Sequence, residues 1–118
     1  MKSSSAKAKG RRLQQWVRDR MLALVPALGA NDVVSRSSGA GGTDLILSPR
    51  AFGVFPLAPE CKNVERVNVW AAYAQACANQ ESDAAVPVVF LSRNHAKPLV
   101  VLDADEFLRI LVDLKGQT

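Results

Sequence analysis

The sequence predicts a single α/β domain, with a mixed central β-sheet of about five strands flanked by helices in the order α-β-β-β-α-β-β-α. Three observations carry this reading. The chain has 118 residues, 48% of them hydrophobic, which suits one core and no second domain. Segments with three- and four-residue apolar spacing alternate with short β-branched runs. Clusters of glycine, proline and serine punctuate the boundaries between them.

The elements follow in order. The opening "MKSSSAKAKG" is polar and basic, so residues 1–10 are expected to form a flexible arm ahead of a domain over residues 11–118. From Arg11 to Leu24, the residues Leu13, Trp16, Val17, Met21 and Leu24 share one helical face, and Pro26 ends the helix. A short strand is expected over Val33 to Arg36, followed by the glycine-rich turn "SSGAGG". "TDLILS" reads as a strand that stops at Ser48-Pro49. "GVFPLAPECK" also reads as a strand, and Pro56 gives it an edge position or an irregular start. "VNVWAAYAQACANQ" is a helix with Val69, Ala72, Tyr73 and Ala76 on one stripe. "VPVVFLS" has the composition of a central strand, and "KPLVVLD" is another strand. "ADEFLRILVDLKG" closes the chain as a helix capped by Asp103, with Glu106 three residues on and Gly116 after the last turn.

Charge and composition narrow the function. The net charge of +4 points to a polyanionic partner. The basic residues concentrate at the N-terminus, where Lys7, Lys9, Arg11 and Arg12 can grip phosphates without reading sequence. Cys61 and Cys77 form no Cys-x-x-Cys pair and His95 is the only histidine, which argues against a zinc site and a disulfide scaffold. The chain shows no signal-like core and no long apolar span, so a cytoplasmic location without membrane contact is expected. "SSGAGG" lacks the Gly-Lys-Ser/Thr of a phosphate-binding loop and no helix follows it, so no nucleotide cofactor is expected.

One constellation carries chemistry. Glu60 and Lys62 are two apart at the end of an apolar strand, so they project from the same face, and Cys61 points to the other. Asp44 opens the preceding strand. Neighbouring strands therefore can place Asp44, Glu60 and Lys62 around one pocket. Two close carboxylates repel and call for a cation between them, and oxygen ligands select a hard ion such as Mg²⁺, with Mn²⁺ able to substitute. The backbone carbonyl of Cys61 adds an oxygen. Lys62 would offset developing charge and orient an attacking water, a set of groups suited to phosphodiester hydrolysis.

With these residues in place, the chain resembles the PD-(D/E)xK nuclease superfamily, and within it the archaeal-type Holliday-junction resolvases and their phage-encoded relatives. The likeness runs from "KGRRLQQW" through "SRSSGAGGTDLIL" to "ECKN" and the helix and strand beyond. It implies a restriction-endonuclease-like sheet and a structure-selective, Mg²⁺-dependent endonuclease that cuts four-way junctions in pairs, leaving 5′-phosphates and 3′-hydroxyls. It implies Asp44 and Glu60 as metal ligands, Lys62 as catalytic lysine, and Arg36 with the loop Ser37, Ser38 and Gly39 as DNA contacts. Gln14 stands where the family has a glutamate and is kept as a site residue, and Ala40 stands where a serine is usual. A junction needs two cuts and this subunit carries one site, so a homodimer is expected, with the helix around Trp70 as the candidate surface. A phage source would place the protein in the host cytoplasm. The alternatives are a nicking or repair endonuclease of the same fold, and a DNA-binding homologue without catalysis.

Overall fold

The computed structural model describes residues 4–36 and 41–116. Helix α1 spans Ser4–Leu24 and a 3-10 turn follows over Ala30–Asp32. Then come β1 (Val33–Ser35), β2 (Leu45–Leu47), α2 (Pro49–Val54), β3 (Leu57–Asn63), α3 (Val69–Ala78), β4 (Val86–Ser92), β5 (Leu99–Leu102) and α4 (Ala104–Gly116). The α/β class is as expected, but three features of the layout differ.

The strands form two sheets rather than one. β1 and β2 make an antiparallel hairpin, while β3, β4 and β5 form a mixed sheet with β4 at its centre. The two meet at Asp44, whose N–H donates to the Pro59 carbonyl at 3.0 Å. Its Oδ2 accepts the Cys61 N–H at 2.7 Å. A carboxylate thus takes the place of a backbone acceptor and ends the ladder there.

The second difference lies before β3. Residues expected to begin that strand are helical as α2, because Ser48 caps it by accepting the Ala51 N–H and Pro49 occupies the first helical turn. The strand starts only at Leu57. Pro59 is tolerated inside it because residue parity turns its missing donor toward the Asp44 edge, away from β4. At the N-terminus, α1 already begins at Ser4, so residues 4–10, assigned to the arm from sequence, are part of the helix. Alanine and lysine there are good helix formers.

Helices cover both faces of the larger sheet. Leu13, Val17 and Met21 of α1 are buried against Val33, Leu45 and Cys61, with Phe90 packed alongside. Arg18 ties α1 to the hairpin by donating from Nε to the Val33 carbonyl at 2.8 Å. On the opposite face, Ala72 and Ala76 of α3 pack on Val89, with Leu91 and Val101 beside them. Small residues let α3 approach the sheet closely. Among the described residues, no helix is long and apolar enough to cross a membrane.

Candidate functional site

The outer edge of β3, the side away from β4, opens into a cleft of about 650 Å³ between α1 and α3. Its walls explain themselves from helix periodicity. The α1 flank beside the buried Leu13 and Val17 presents Lys7, Arg11 and Gln14, at steps of four and three residues. β3 contributes Glu60, Cys61 and Lys62 to the floor, the hairpin contributes Arg36 and Asp44, and α3 contributes Gln75. The residues proposed from sequence as the catalytic set therefore line one cavity. Lys9 and Arg12, expected to meet DNA, fall on other sides of α1 and do not line it. Ser37, Ser38 and Gly39 lie outside the described residues, as does Ala40. His95, Arg93 and Lys97 sit in the β4–β5 turn, away from the cleft.

The strand parity predicted for "ECK" is present. Glu60 pairs in register with Val89 and Lys62 with Leu91, so both share the α3 face of the sheet. The Lys62 Nζ stands 3.9 Å from Glu60 Oε2. Glu60 is only 2% exposed. A carboxylate at that depth is costly to keep charged unless cations or donors compensate it, and Lys62 is the compensating group this strand supplies. Cys61 faces the core under α1. Burial pushes its thiol pKa well above the usual range, and the negative charges of Asp44 and Glu60 push it further, against a smaller opposing effect of Lys62. The thiol is thus inert at neutral pH. The Cys61 N–H donates to Asp44 and Glu60 is its neighbour in β3, so the two carboxylate residues flank position 61.

Backbone direction matters as much as side chains. The Cys61 N–H points out of the sheet to Asp44, and in a strand the carbonyl of the same residue points to the same side. The Cys61 carbonyl oxygen is therefore aimed toward the cleft side of β3.

Arg36 is held at the rim. Its Nε donates to the Thr43 carbonyl at 2.6 Å and a terminal nitrogen pairs with Glu81 Oε1 at 2.8 Å. Gly42 makes this possible. Its φ is +100°, and a Cβ there would lie 2.7 Å from Glu81 Oε1 and 2.9 Å from Arg36 Cζ. An anion approaching Arg36 competes with Glu81 for the guanidinium.

The donor set suits a hard divalent cation. Asp44, Glu60 and the Cys61 carbonyl offer oxygen alone, and Mg²⁺ commonly takes one or two carboxylates and fills its octahedron with water. Among the described residues no cluster of three or more histidine, cysteine, aspartate or glutamate side chains forms a metal cage.

Several cleft residues escaped the sequence reading. Gln15 and Ser35 line the cavity, as does Asn79, one turn beyond Gln75 on α3. The four-residue spacing of Gln75 and Asn79 was the available signal. Asn63 was also missed. Its Nδ2 donates to the Lys9 carbonyl at 2.8 Å and fixes α1 over the end of β3. Nothing local in the sequence marks a contact across that separation. Comparison of the chain with family models, curated proteins and solved structures finds no match.

Proposed function

We propose that this protein is a Mg²⁺-dependent endodeoxyribonuclease acting on branched DNA, with four-way junctions as its preferred substrate and a homodimer as its working form. The observation that carries the reading is the gathering of Asp44, Glu60, Lys62 and Gln14 in one cleft rimmed by Lys7, Arg11 and Arg36.

Each residue has a role that follows from its chemistry. Asp44, Glu60 and the Cys61 carbonyl would hold the cation, which when bound supplies Lewis acidity at a phosphate oxygen and a more acidic water. Lys62 offsets negative charge as it builds on the phosphate and orients the attacking water through its ammonium. The Gln14 amide oxygen accepts from that water without adding charge. Lys7 and Arg11 hold flanking phosphates, so affinity falls steeply with salt. Arg36 adds a bidentate phosphate contact once it exchanges its Glu81 partner.

The test uses labelled four-way junction, Y-fork and linear duplex with Mg²⁺, beside Asp44→Asn and Lys62→Ala variants. Paired, symmetric cuts in the junction, reduced about 10²-fold or more in both variants, are the expected result. Cleavage of every substrate alike would make the protein a general nuclease. The replacement of a carboxylate by Gln14 favours one other reading, a DNA-binding homologue without catalysis. Tight junction binding with no cutting in Mg²⁺ or Mn²⁺ would establish that reading instead.

A further inference from the structure

Beyond Asp44 the two sheets part. β2 and β3 are bridged by the Asp44 contacts at one end, and α2 makes the connection between them at the other. The strands splay around a second cavity of about 420 Å³. Its walls are mostly apolar: Ile46 and Leu47 of β2, Phe52 of α2, and Leu57 and Ala58 of β3. Thr43, Glu81 and Ser82 bring polar groups to it. The size falls within the roughly 300–1,000 Å³ of small-ligand sites. Among the described residues, Arg36 alone lines both this cavity and the cleft.

Two strand edges face the gap. The Arg36 N–H donates to the Asp44 carbonyl at 2.9 Å and the Ser48 N–H to the Asp32 carbonyl at 2.8 Å. Ile46 pairs with Val34 between them, so ladder alternation turns the backbone groups of Leu45 and Leu47 away from β1 and toward β3. Thr43 Oγ1 donates to the Leu45 carbonyl at 2.8 Å. Across the gap, the Pro59 carbonyl and the Cys61 N–H both point to Asp44, and the same alternation turns the Leu57 carbonyl that way. Backbone donors and acceptors thus form a strip between apolar walls. A flat ligand with apolar faces and a polar edge matches that strip, and a nucleobase is such a ligand. A purely aliphatic occupant would bury the same backbone groups without partners, at a cost.

We propose that this slot takes an unstacked nucleobase of the DNA substrate, with the phosphate of the same nucleotide held by Arg36 at the mouth. The inference deepens the nuclease reading and rests on it. Bases at a branch point lack full stacking, so drawing one out costs less there than in a continuous duplex. The charges balance in the exchange. Arg36 leaves Glu81 for the phosphate, and the Glu81 carboxylate, which lines the slot, then accepts from an amino group of the base. Cytosine and adenine carry such a group and thymine does not. The Glu81 side chain is 63% exposed, so the ion pair to be exchanged is weakly held.

Titrations of the full chain read by amide chemical shifts test the slot without any cutting. dCMP should move the amides of Leu45 and Leu47 together with those of Arg36 and Gly42, whereas inorganic phosphate should move only the latter two. dTMP should bind more weakly than dCMP, and Glu81→Ala, at an exposed position, should erase the difference. Phe52→Ala should weaken dCMP about tenfold, the worth of one aromatic stack, with circular dichroism unchanged. A four-way junction carrying 2-aminopurine at the branch point, bound without divalent metal, should brighten as the base leaves its stack, and linear duplex should stay dim. Three results would each overturn the slot and leave the nuclease reading standing: dCMP shifts confined to Arg36 and Gly42, equal binding of dCMP and dTMP, or a junction that is bound and cut yet stays dim. Shifts at Leu45 and Leu47 in a chain that binds nucleotide but neither brightens nor cuts the junction would overturn the nuclease reading and make the slot a site for free nucleotides.

Discussion

Asp44 performs a structural task as well as any chemical one. Its carboxylate accepts the Cys61 N–H and its own N–H donates to Pro59, so the residue both joins the hairpin to β3 and places charge in the cleft. The two roles separate by substitution. Asp44→Asn keeps an acceptor for the Cys61 N–H and should leave stability nearly unchanged while cleavage is lost. Asp44→Ala strands a part-buried donor and should cost about 1–3 kcal/mol in urea unfolding. Gly42 is a second residue at which one atom decides the outcome. Gly42→Ala forces a side chain into the positive-φ region and against the Arg36–Glu81 pair. It should destabilise the chain by about 1–3 kcal/mol, read from the same measurement. At this scale the Glu60–Lys62 relationship was legible, because strand parity is a local rule. The grip of Glu81 on Arg36 was not, because no pattern links residues so distant in the chain.

Ser48 shows how one residue sets two elements. Its Oγ accepts the Ala51 N–H to cap α2 and donates to Asp32 Oδ1 at 2.7 Å, tying that cap to the turn before β1. Ser48→Ala should cost about 1 kcal/mol through the lost cap. The Asp32 carboxyl is held below its usual range of 3.8, first by the Ser48 hydroxyl and then by the Gly29 N–H. A depressed folded pKa stabilises the protein above the ordinary carboxylate value, and that contribution disappears as pH falls through the lowered one. An acid titration of stability should therefore show a loss below about pH 4 that is reduced in Asp32→Asn. The dipeptide Ser48-Pro49 does end a strand, as expected, but serine followed by proline is equally the start of a helix. That ambiguity is why α2 was missed and β3 was expected too early.

For the whole molecule, the cleft and the edge strand β5 occupy opposite edges of one sheet. If the protein cuts junctions as a dimer, dilution below the concentration at which the dimer forms should convert paired cuts into single nicks while the rate per site stays within about a few-fold. A supercoiled cruciform plasmid reads this directly: linear product from the paired cut, open circles from the nick. Loss of all cutting on dilution would mean that the cleft depends on the partner.

The sequence by itself determined the class of fold, the helical faces of α1 and α3, the central place of β4, and the shared face of Glu60 and Lys62. These follow from periodicities of 3.6 and 2 residues and from capping chemistry, which act over a few residues. Tertiary structure decided the rest. It split the expected single sheet at Asp44 and turned Lys9 and Arg12 away from the cleft. It also brought Gln14 on α1 and Gln75 on α3 to opposite walls of the cleft and left no residue of α4 fully buried among the described residues. Each of these depends on how elements far apart in the chain pack against one another, and packing is a property of surfaces meeting in space rather than of any local run of residues.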